Sequence, residues 1–122
     1  MAKVLIIEDN AASLELMSYL LRAFGHAICE ATDGNQGVAA VASFDPDVIV
    51  CDLQMPHLDG FGVAQHLRGR PGRRVPLIAV TASAMGTDRE RVLTAGFDGY
   101  IVKPIDPERF VHQITAFLVH GE

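Results

Sequence analysis

The stretch of sequence that decides the fold is VIVCD at residues 48–52, in which four apolar residues are followed by an acid. A short unbroken apolar run of this kind is typical of a strand that is buried on both faces of a sheet. The same pattern occurs in VLII at residues 4–7 and in LIAV at residues 77–80. Residues 27–31 and 99–102 fit weaker strands, so the sequence predicts five strands.

Amphipathic segments separate these strands. The first, residues 11–24, places four apolar side chains on one stripe of a helix that Gly25 can end. A second helix is predicted between Gly34 and Asp45, and a third over 59–68 with Asp59 as its cap. A fourth is predicted to begin at a capping box at 87–90 and to end near Gly96. The last is predicted after Asp106, with Pro107 at its first position. A strand followed by a helix five times predicts a single α/β domain over residues 1–122. We expect the flavodoxin-like (βα)5 three-layer sandwich, with a parallel sheet in the order 2-1-3-4-5.

The composition narrows the class of protein. The 122 residues are 49% hydrophobic, which is enough for one core, and the two cysteines cannot make a disulfide framework. No apolar run approaches the ~20 residues of a membrane span, and the amino terminus does not resemble a signal peptide. A net charge of −5 argues against broad nucleic-acid binding. We therefore expect a cytoplasmic protein with no membrane partner and no direct nucleic-acid partner.

Four of the predicted strands end next to a charged or hydroxyl side chain. Strand 1 is followed by Glu8 and Asp9, strand 3 by Asp52, strand 4 by Thr81 and strand 5 by Lys103. Because the strands are parallel, these ends lie along one edge of the sheet. Open α/β sheets bind ligands outside this edge where the strand order reverses, which is between strands 1 and 3 here. The three carboxylates should therefore converge on one site.

This set of side chains is suited to phosphoryl transfer. Three neighbouring carboxylates repel one another, and burial increases the repulsion. Lys103 offers one positive charge, and Mg²⁺, which prefers oxygen ligands, would supply the rest. A carboxylate can also be the nucleophile and form an aspartyl phosphate. The candidate catalytic residues are Asp52, Thr81 and Lys103.

Five short motifs occur in order along the chain. They are Ile7-Glu8-Asp9-Asn10, Asp52-Leu53-Gln54-Met55-Pro56, Asp59-Gly60, Val80-Thr81-Ala82 and Tyr100-Ile101-Val102-Lys103-Pro104. Each motif alone is a weak signal. Together, and at this spacing, they make essentially the whole chain resemble the receiver domain of the two-component response regulators.

The resemblance implies a phosphorylation site and a metal site. Asp52 would accept a phosphoryl group from a phosphohistidine. Asp9, Asp52 and the main-chain carbonyl of Gln54 would hold Mg²⁺, and Glu8 would help through a water molecule. Many receivers carry Asp at the position of Glu8, and both residues are common in the family.

The resemblance also implies how the phosphoryl group would be recognised and read. Lys103 would contact a phosphoryl oxygen and Asp52, while the Thr81 hydroxyl and the main-chain N–H of Ala82 would bind the phosphoryl group. Tyr100 would be the aromatic switch residue that turns inward when Thr81 moves. The peptide bond between Lys103 and Pro104 is expected to be cis, which X-Pro bonds permit at modest cost.

The implied partners are a histidine kinase or a histidine phosphotransfer protein, together with a downstream target protein. We expect the target to bind the face made by the fourth helix, the fifth strand and the fifth helix. Residues 1–122 leave no room for an output domain, and a free-standing receiver is favoured over a fragment of a hybrid histidine kinase. Such a protein is a phosphoryl acceptor with at most slow self-dephosphorylation, not an enzyme.

Three alternatives fit less well. An aspartyl-nucleophile phosphatase of the haloacid dehalogenase type needs a second Asp where the chain has Gln54. A flavodoxin-like electron carrier needs a glycine- and hydroxyl-rich phosphate loop after strand 1, where Glu8 and Asp9 would repel phosphate without a metal. A degenerate receiver that serves only as a scaffold is opposed by the complete set of acids, threonine and lysine.

Other conspicuous residues are expected to be structural. Cys29 and Cys51 lie on predicted strands 2 and 3, about 9–10 Å apart, which is too far for a disulfide. The five histidines show no zinc-ligand spacing. The basic segment at 68–74 is expected to be a solvated loop.

Overall fold

The computed structural model describes residues 1–72, 74–82 and 86–118, and of residues 86–88 it describes the backbone alone. Strands and helices alternate along this part of the chain. The strands are β1 (Lys3–Ile7), β2 (Ala27–Ala31), β3 (Val48–Asp52), β4 (Leu77–Thr81) and β5 (Gly99–Val102). The helices are α1 (Ala11–Ala23), α2 (Gly34–Phe44), α3 (Gly60–Arg68), α4 (Gly86–Thr94) and α5 (Phe110–Thr115).

The five strands form one parallel sheet in the order β2-β1-β3-β4-β5, which confirms the predicted topology. The register brings the carboxyl ends together. Ile7 pairs with Cys51, Asp52 pairs with Val80, and Thr81 pairs with Val102. The residues that follow β1, β3, β4 and β5 therefore lie along one edge.

The sheet has an apolar core on each face, which explains why its strands are continuously apolar. Successive strand side chains point to opposite faces, so Val48 and Val50 join one core while Ile49 and Cys51 join the other. Helices α1 and α5 cover the first core, and α2, α3 and α4 cover the second. The result is the predicted three-layer sandwich.

Polar caps fix the starts of the helices on the functional edge. The side chains of Asn10, Asp33 and Asp59 accept hydrogen bonds from backbone N–H groups in the first turns of α1, α2 and α3. Such caps stabilise a helix by about 1 kcal/mol each. The predicted cap at Asp59 is confirmed. The capping box predicted at 87–90 lies partly outside the described side chains.

The last helix begins later than predicted. Helix α5 starts at Phe110 and ends at Thr115, and a turn at residues 107–109 precedes it. Asp106 does hold this turn, because its side chain accepts from the N–H of Glu108 at 3.0 Å. Its carbonyl accepts from the N–H groups of both Arg109 and Phe110, a tightened turn that delays the regular helix.

The basic segment 68–74 is only partly the solvated loop that was expected. Arg68 is the last residue of α3 and is half-buried. Its guanidinium donates to the carbonyls of Gly96 and Val75 at 2.8 and 3.1 Å and to the carboxylate of Asp98 at 2.9 Å. Asp98 also accepts from Arg74 at 2.7 Å. We call this network the Arg68 clamp; it joins α3 to the turn between α4 and β5.

Two further findings concern the cysteines and the length of the helices. Cys29 and Cys51 are both free thiols, on strands separated by β1. In the part of the chain that the structure describes, every helix is too short or too polar to cross a membrane.

Candidate functional site

Three carboxylates meet at the edge where β1 and β3 end. One oxygen from each of Glu8, Asp9 and Asp52 lies within 4.8 Å of the other two. Glu8 and Asp52 are buried, whereas Asp9 is exposed. An oxygen-only cluster that is open to solvent on one side fits a hard divalent cation such as Mg²⁺, which keeps part of its water shell.

Backbone groups hold these carboxylates in place. The N–H of Asn10 donates to Glu8 Oε2 at 3.2 Å, and the Asn10 side chain caps α1. The N–H of Gln54 donates to Asp52 Oδ1 at 3.1 Å. The turn after each strand therefore orients the acid that precedes it, and the main chain at Gln54 lies beside the cluster.

Lys103 supplies the positive charge at this site. Its Nζ lies 3.0 Å from Glu8 Oε1 and 3.6 Å from Asp52 Oδ2. The Lys103 N–H donates to the carbonyl of Thr81 at 2.7 Å, and the Lys103–Pro104 peptide bond is cis, as expected. One lysine against three carboxylates leaves the cluster with an excess of negative charge.

Burial and crowding change the proton affinities of the cluster. Burial, together with the hydrogen bond and the charge of Asp52, raises the pKa of Glu8 from 4.5 to about 7, although Lys103 opposes this. Burial alone would lower the pKa of Lys103, but the hydrogen bond and charge of Glu8, followed by Asp52, raise it overall. The site therefore keeps its lysine charged and holds Glu8 poised between its two protonation states.

Thr81 and Ala82 lie across the site at the end of β4. Thr81 is buried and Ala82 is exposed. A cavity of about 630 Å³ opens here, and Asp9, Gln54 and Thr81 are among its lining residues. This space is large enough for a phosphoryl group, and both Asp9 and Thr81 border it.

One residue of the cavity wall was missed by the sequence analysis. Arg91 of α4 lines the same cavity, and its guanidinium stacks over the Phe61 ring at 4.6 Å. It is a second cation close to the site, in addition to Lys103. Only the predicted position of α4 above the carboxyl edge could have indicated it, because no motif contains Arg91.

Tyr100 lies on β5 and points to the same face of the sheet as Thr81. The register pairs Ala79 with Tyr100 and Thr81 with Val102, and alternate residues share a face. Tyr100 is half-buried, and the Arg89 guanidinium of α4 lies 5.7 Å from its ring centroid. The expected switch pair therefore lies beneath α4. The loop of Ser83, Ala84 and Met85, which would move with it, lies outside the described residues.

The chain combines a parallel five-stranded sheet with an acid cluster at the carboxyl edge of that sheet, and a family of known proteins matches it. The response regulator receiver domain family matches residues 4–115. The chain is 35% identical over 116 residues to the polar-differentiation response regulator DivK of Brucella ovis, a match that covers 94% of each chain. The chain therefore belongs to the response regulator receiver domain family, the receivers of two-component signalling.

Solved structures agree with this assignment. The chemotaxis response regulator CheY4 of Vibrio cholerae has a TM-score of 0.91 at 27% identity, covering 97% of this chain and 99% of that one. The receiver domain of the sensor histidine kinase PA1611 of Pseudomonas aeruginosa has a TM-score of 0.86 at 32% identity, covering 95% and 96%. That receiver carries a magnesium ion in its active-site cleft.

Proposed function

We propose that the chain is a phosphorylation-operated signalling module in which Asp52 accepts a phosphoryl group from a histidine kinase or a histidine phosphotransfer protein. The observation that carries this proposal is the position of Asp52. Its buried carboxylate belongs to one cluster with the metal-suited acids Glu8 and Asp9, and its Oδ2 lies 3.6 Å from Lys103 Nζ. The donor is a cytoplasmic phosphohistidine, so the proposal places the chain in the cytoplasm.

The proposed transfer exchanges one bond for another. An Asp52 carboxylate oxygen attacks phosphorus, the P–N bond of the phosphohistidine breaks, and the imidazole nitrogen keeps the electron pair and takes up a proton. Asp9, Asp52 and the Gln54 carbonyl would hold Mg²⁺, with Glu8 helping through water. When bound, Mg²⁺ offsets the negative charge that builds up on the phosphoryl oxygens.

Three groups would hold the phosphoryl group after transfer. The Lys103 ammonium would contact one oxygen, and the Thr81 hydroxyl and the N–H of Ala82 would donate to others. Charge-assisted hydrogen bonds of this kind are roughly twice as strong as neutral ones. Gln54 offers no carboxyl group to activate water, so the aspartyl phosphate would be lost only slowly. This favours an acceptor over a phosphatase.

We further propose that the phosphoryl group is read on the face formed by α4, β5 and α5. Thr81 would move toward Asp52, and Tyr100, on the same face of the sheet, would turn into the space beneath α4. Leu93 and Val102, which are both exposed, would then contact a target protein.

Labelling tests the acceptor. Acetyl phosphate with Mg²⁺ should label the wild-type protein, and removing Mg²⁺ with EDTA should abolish the label. Asp52→Asn should lose it almost completely. Asp59→Asn is the matched control, because Asp59 also lines the cavity while asparagine retains its capping role. Label that persists in Asp52→Asn at the wild-type level would disprove the assignment.

A further inference from the structure

A second cavity lies at the opposite edge of the sheet from the phosphoacceptor. It has a volume of about 640 Å³ and opens between the carboxyl ends of α2 and α3. We call it the α2–α3 groove and define it by the residues that the argument uses: Val41, Leu67, Arg68, Arg70, Arg74 and Val75. Its floor is the buried side chain of Ile49, near the start of β3.

The α2–α3 groove carries more positive charge than its acids balance. Arg68 and Arg74 share the single carboxylate of Asp98, through ion pairs of 2.9 and 2.7 Å. Arg70 makes no ion pair with any of the described residues and is exposed. Asp45, which has interactions of its own, is the only acid among those lining residues that the structure describes. In a chain of net charge −5, this is a local cationic site.

The two paired arginines also repel each other. Burial lowers the pKa of Arg68, and the charge of Arg74 lowers it further, while Asp98 opposes both effects. Arg68 is held by three hydrogen bonds to the protein. Arg70 and the remaining donors of Arg74 are therefore the groups available to an anion, and a bound anion would relieve the repulsion.

The other wall of the α2–α3 groove is apolar. Val41 of α2, Leu67 of α3 and Val75 are each half-buried, so part of every side chain faces the cavity. Pockets of about 300–1,000 Å³ with apolar walls and a few converging polar groups are typical of small-molecule sites. Guanidinium groups bind phosphate in a bidentate manner and stack on planar rings.

We propose that the α2–α3 groove binds a small phosphorylated molecule with a planar apolar part, of the nucleoside monophosphate class. Arg70 and Arg74 would hold the phosphate, and the ring would lie against Val41, Leu67 and Val75. The groove is separate from the phosphoacceptor. Ile49 and Asp52 are three residues apart on β3, about 10 Å along the strand. Because the groove lies this far from the acid cluster, we expect its occupancy not to require Mg²⁺.

Amide NMR titration of the full chain tests this proposal in EDTA, so that the acid cluster holds no Mg²⁺. The probe is adenosine monophosphate, with inorganic phosphate and adenosine as separate arms. We expect saturable shifts at residues 41–42, 67–72 and 74–75 with adenosine monophosphate. We expect at least ten-fold weaker binding for either half of the probe alone, because each half lacks one set of contacts.

Variants locate the site. Arg70→Gln should weaken adenosine monophosphate binding about ten-fold while leaving the fold unchanged, since Arg70 makes no ion pair within the described structure. Arg89→Gln, a change on α4, is the matched control and should bind as the wild type does. The proposal is overturned if the shifts do not saturate or centre on Asp9 and Asp52. It is also overturned if inorganic phosphate binds as tightly as the nucleotide, or if Arg70→Gln binds normally.

Discussion

Glu8 shows how one side chain can set the behaviour of a site. An aspartate would end one methylene earlier, whereas the glutamate reaches into the core and meets Lys103 at 3.0 Å. The carboxylate is fully buried, and its pKa of about 7 lies within the physiological range. Metal ions bind the deprotonated form of a ligand, so protons compete with Mg²⁺ here.

Stability without Mg²⁺ should depend on the protonation of Glu8. The folded pKa of about 7 lies above the ordinary value of 4.5, so the folded state binds the proton more tightly. The contribution is complete below pH 4.5 and is lost as pH rises from there through 7, on the order of 3 kcal/mol in all. Urea melts in EDTA between pH 5 and pH 8 measure this.

Glu8→Gln is the control for that experiment, because glutamine does not titrate in this range. Its stability should be nearly flat where that of the wild type falls. With saturating Mg²⁺, the metal-dependent gain in wild-type stability should increase as pH rises. A wild-type stability that rises from pH 5 to pH 8 in EDTA would contradict the role assigned to Glu8.

Asp9 should control the response of stability to Mg²⁺. A ligand that binds only the folded state adds about 2.7 kcal/mol at one hundred times its dissociation constant. Asp9→Ala should lose most of this gain. Without the metal it should be at least as stable as the wild type, because a repulsive charge is removed. Thermal melts with and without Mg²⁺ measure both effects.

Glu15→Ala is a fair comparison for Asp9→Ala, since Glu15 is an exposed acid on α1 that is not in the cluster. It should keep the full Mg²⁺ response. If Asp9→Ala and the wild type gained equally from Mg²⁺, the cluster would not be the metal site.

At the scale of elements, the two ends of α4 differ in how they are held. The carboxyl end leads into Gly96 and Asp98, both of which Arg68 of α3 binds. The Asp98 carboxylate also accepts from the N–H of Leu77 on β4. The amino end follows Thr81 after a few residues. Between them, Leu93 is exposed and Tyr100 lies beneath the helix. This arrangement supports the proposed output face.

Beryllofluoride, which stands in for the phosphoryl group on Asp52, should perturb amide signals from residue 86 to residue 103. The reason is that Thr81 precedes α4 by a few residues in the chain and pairs with Val102 of β5. Thr81→Ala should keep the shifts around Asp9 and Asp52 and lose most of those in α4 and β5. Shifts confined to the loops around those acids in the wild type would eliminate this face.

At the scale of the whole molecule, the features that follow from the periodicity of apolar residues could be predicted from the sequence. The runs at 4–7, 48–51 and 77–80 have no polar interruption, so their burial and the position of the acids after them could be predicted. The partners of Arg68 could not, because Gly96 and Asp98 are 28 and 30 residues away along the chain. The predicted start of α5 was also wrong, because the same Asp-Pro signal can begin either a capped turn or a capped helix.

Removal of the Arg68 clamp should destabilise the whole domain. Arg68→Ala removes the guanidinium donors to the Gly96 and Val75 carbonyls and to Asp98 Oδ2, which then keeps its hydrogen bond from the N–H of Leu77, at a cost of about 2–4 kcal/mol. Arg68→Lys should recover only part of this, because a single ammonium group cannot make the same forked contacts. Chemical denaturation measures the loss, and Arg70→Ala should stay within about 0.5 kcal/mol of the wild type. Equal stability of all three variants would show that the clamp is energetically unimportant.

The Arg68 clamp also fixes the carboxyl end of α4, about which the helix can pivot. A rigid helix that is fastened at one end and pushed at the other behaves as a lever, and its displacement increases with distance from the fastening. A movement of Thr81 would therefore displace α4 most near Gly86 and least near Gly96. A partner protein that senses the tilt of α4, and not its mere presence, would gain most of its discrimination from the end nearest the phosphoacceptor.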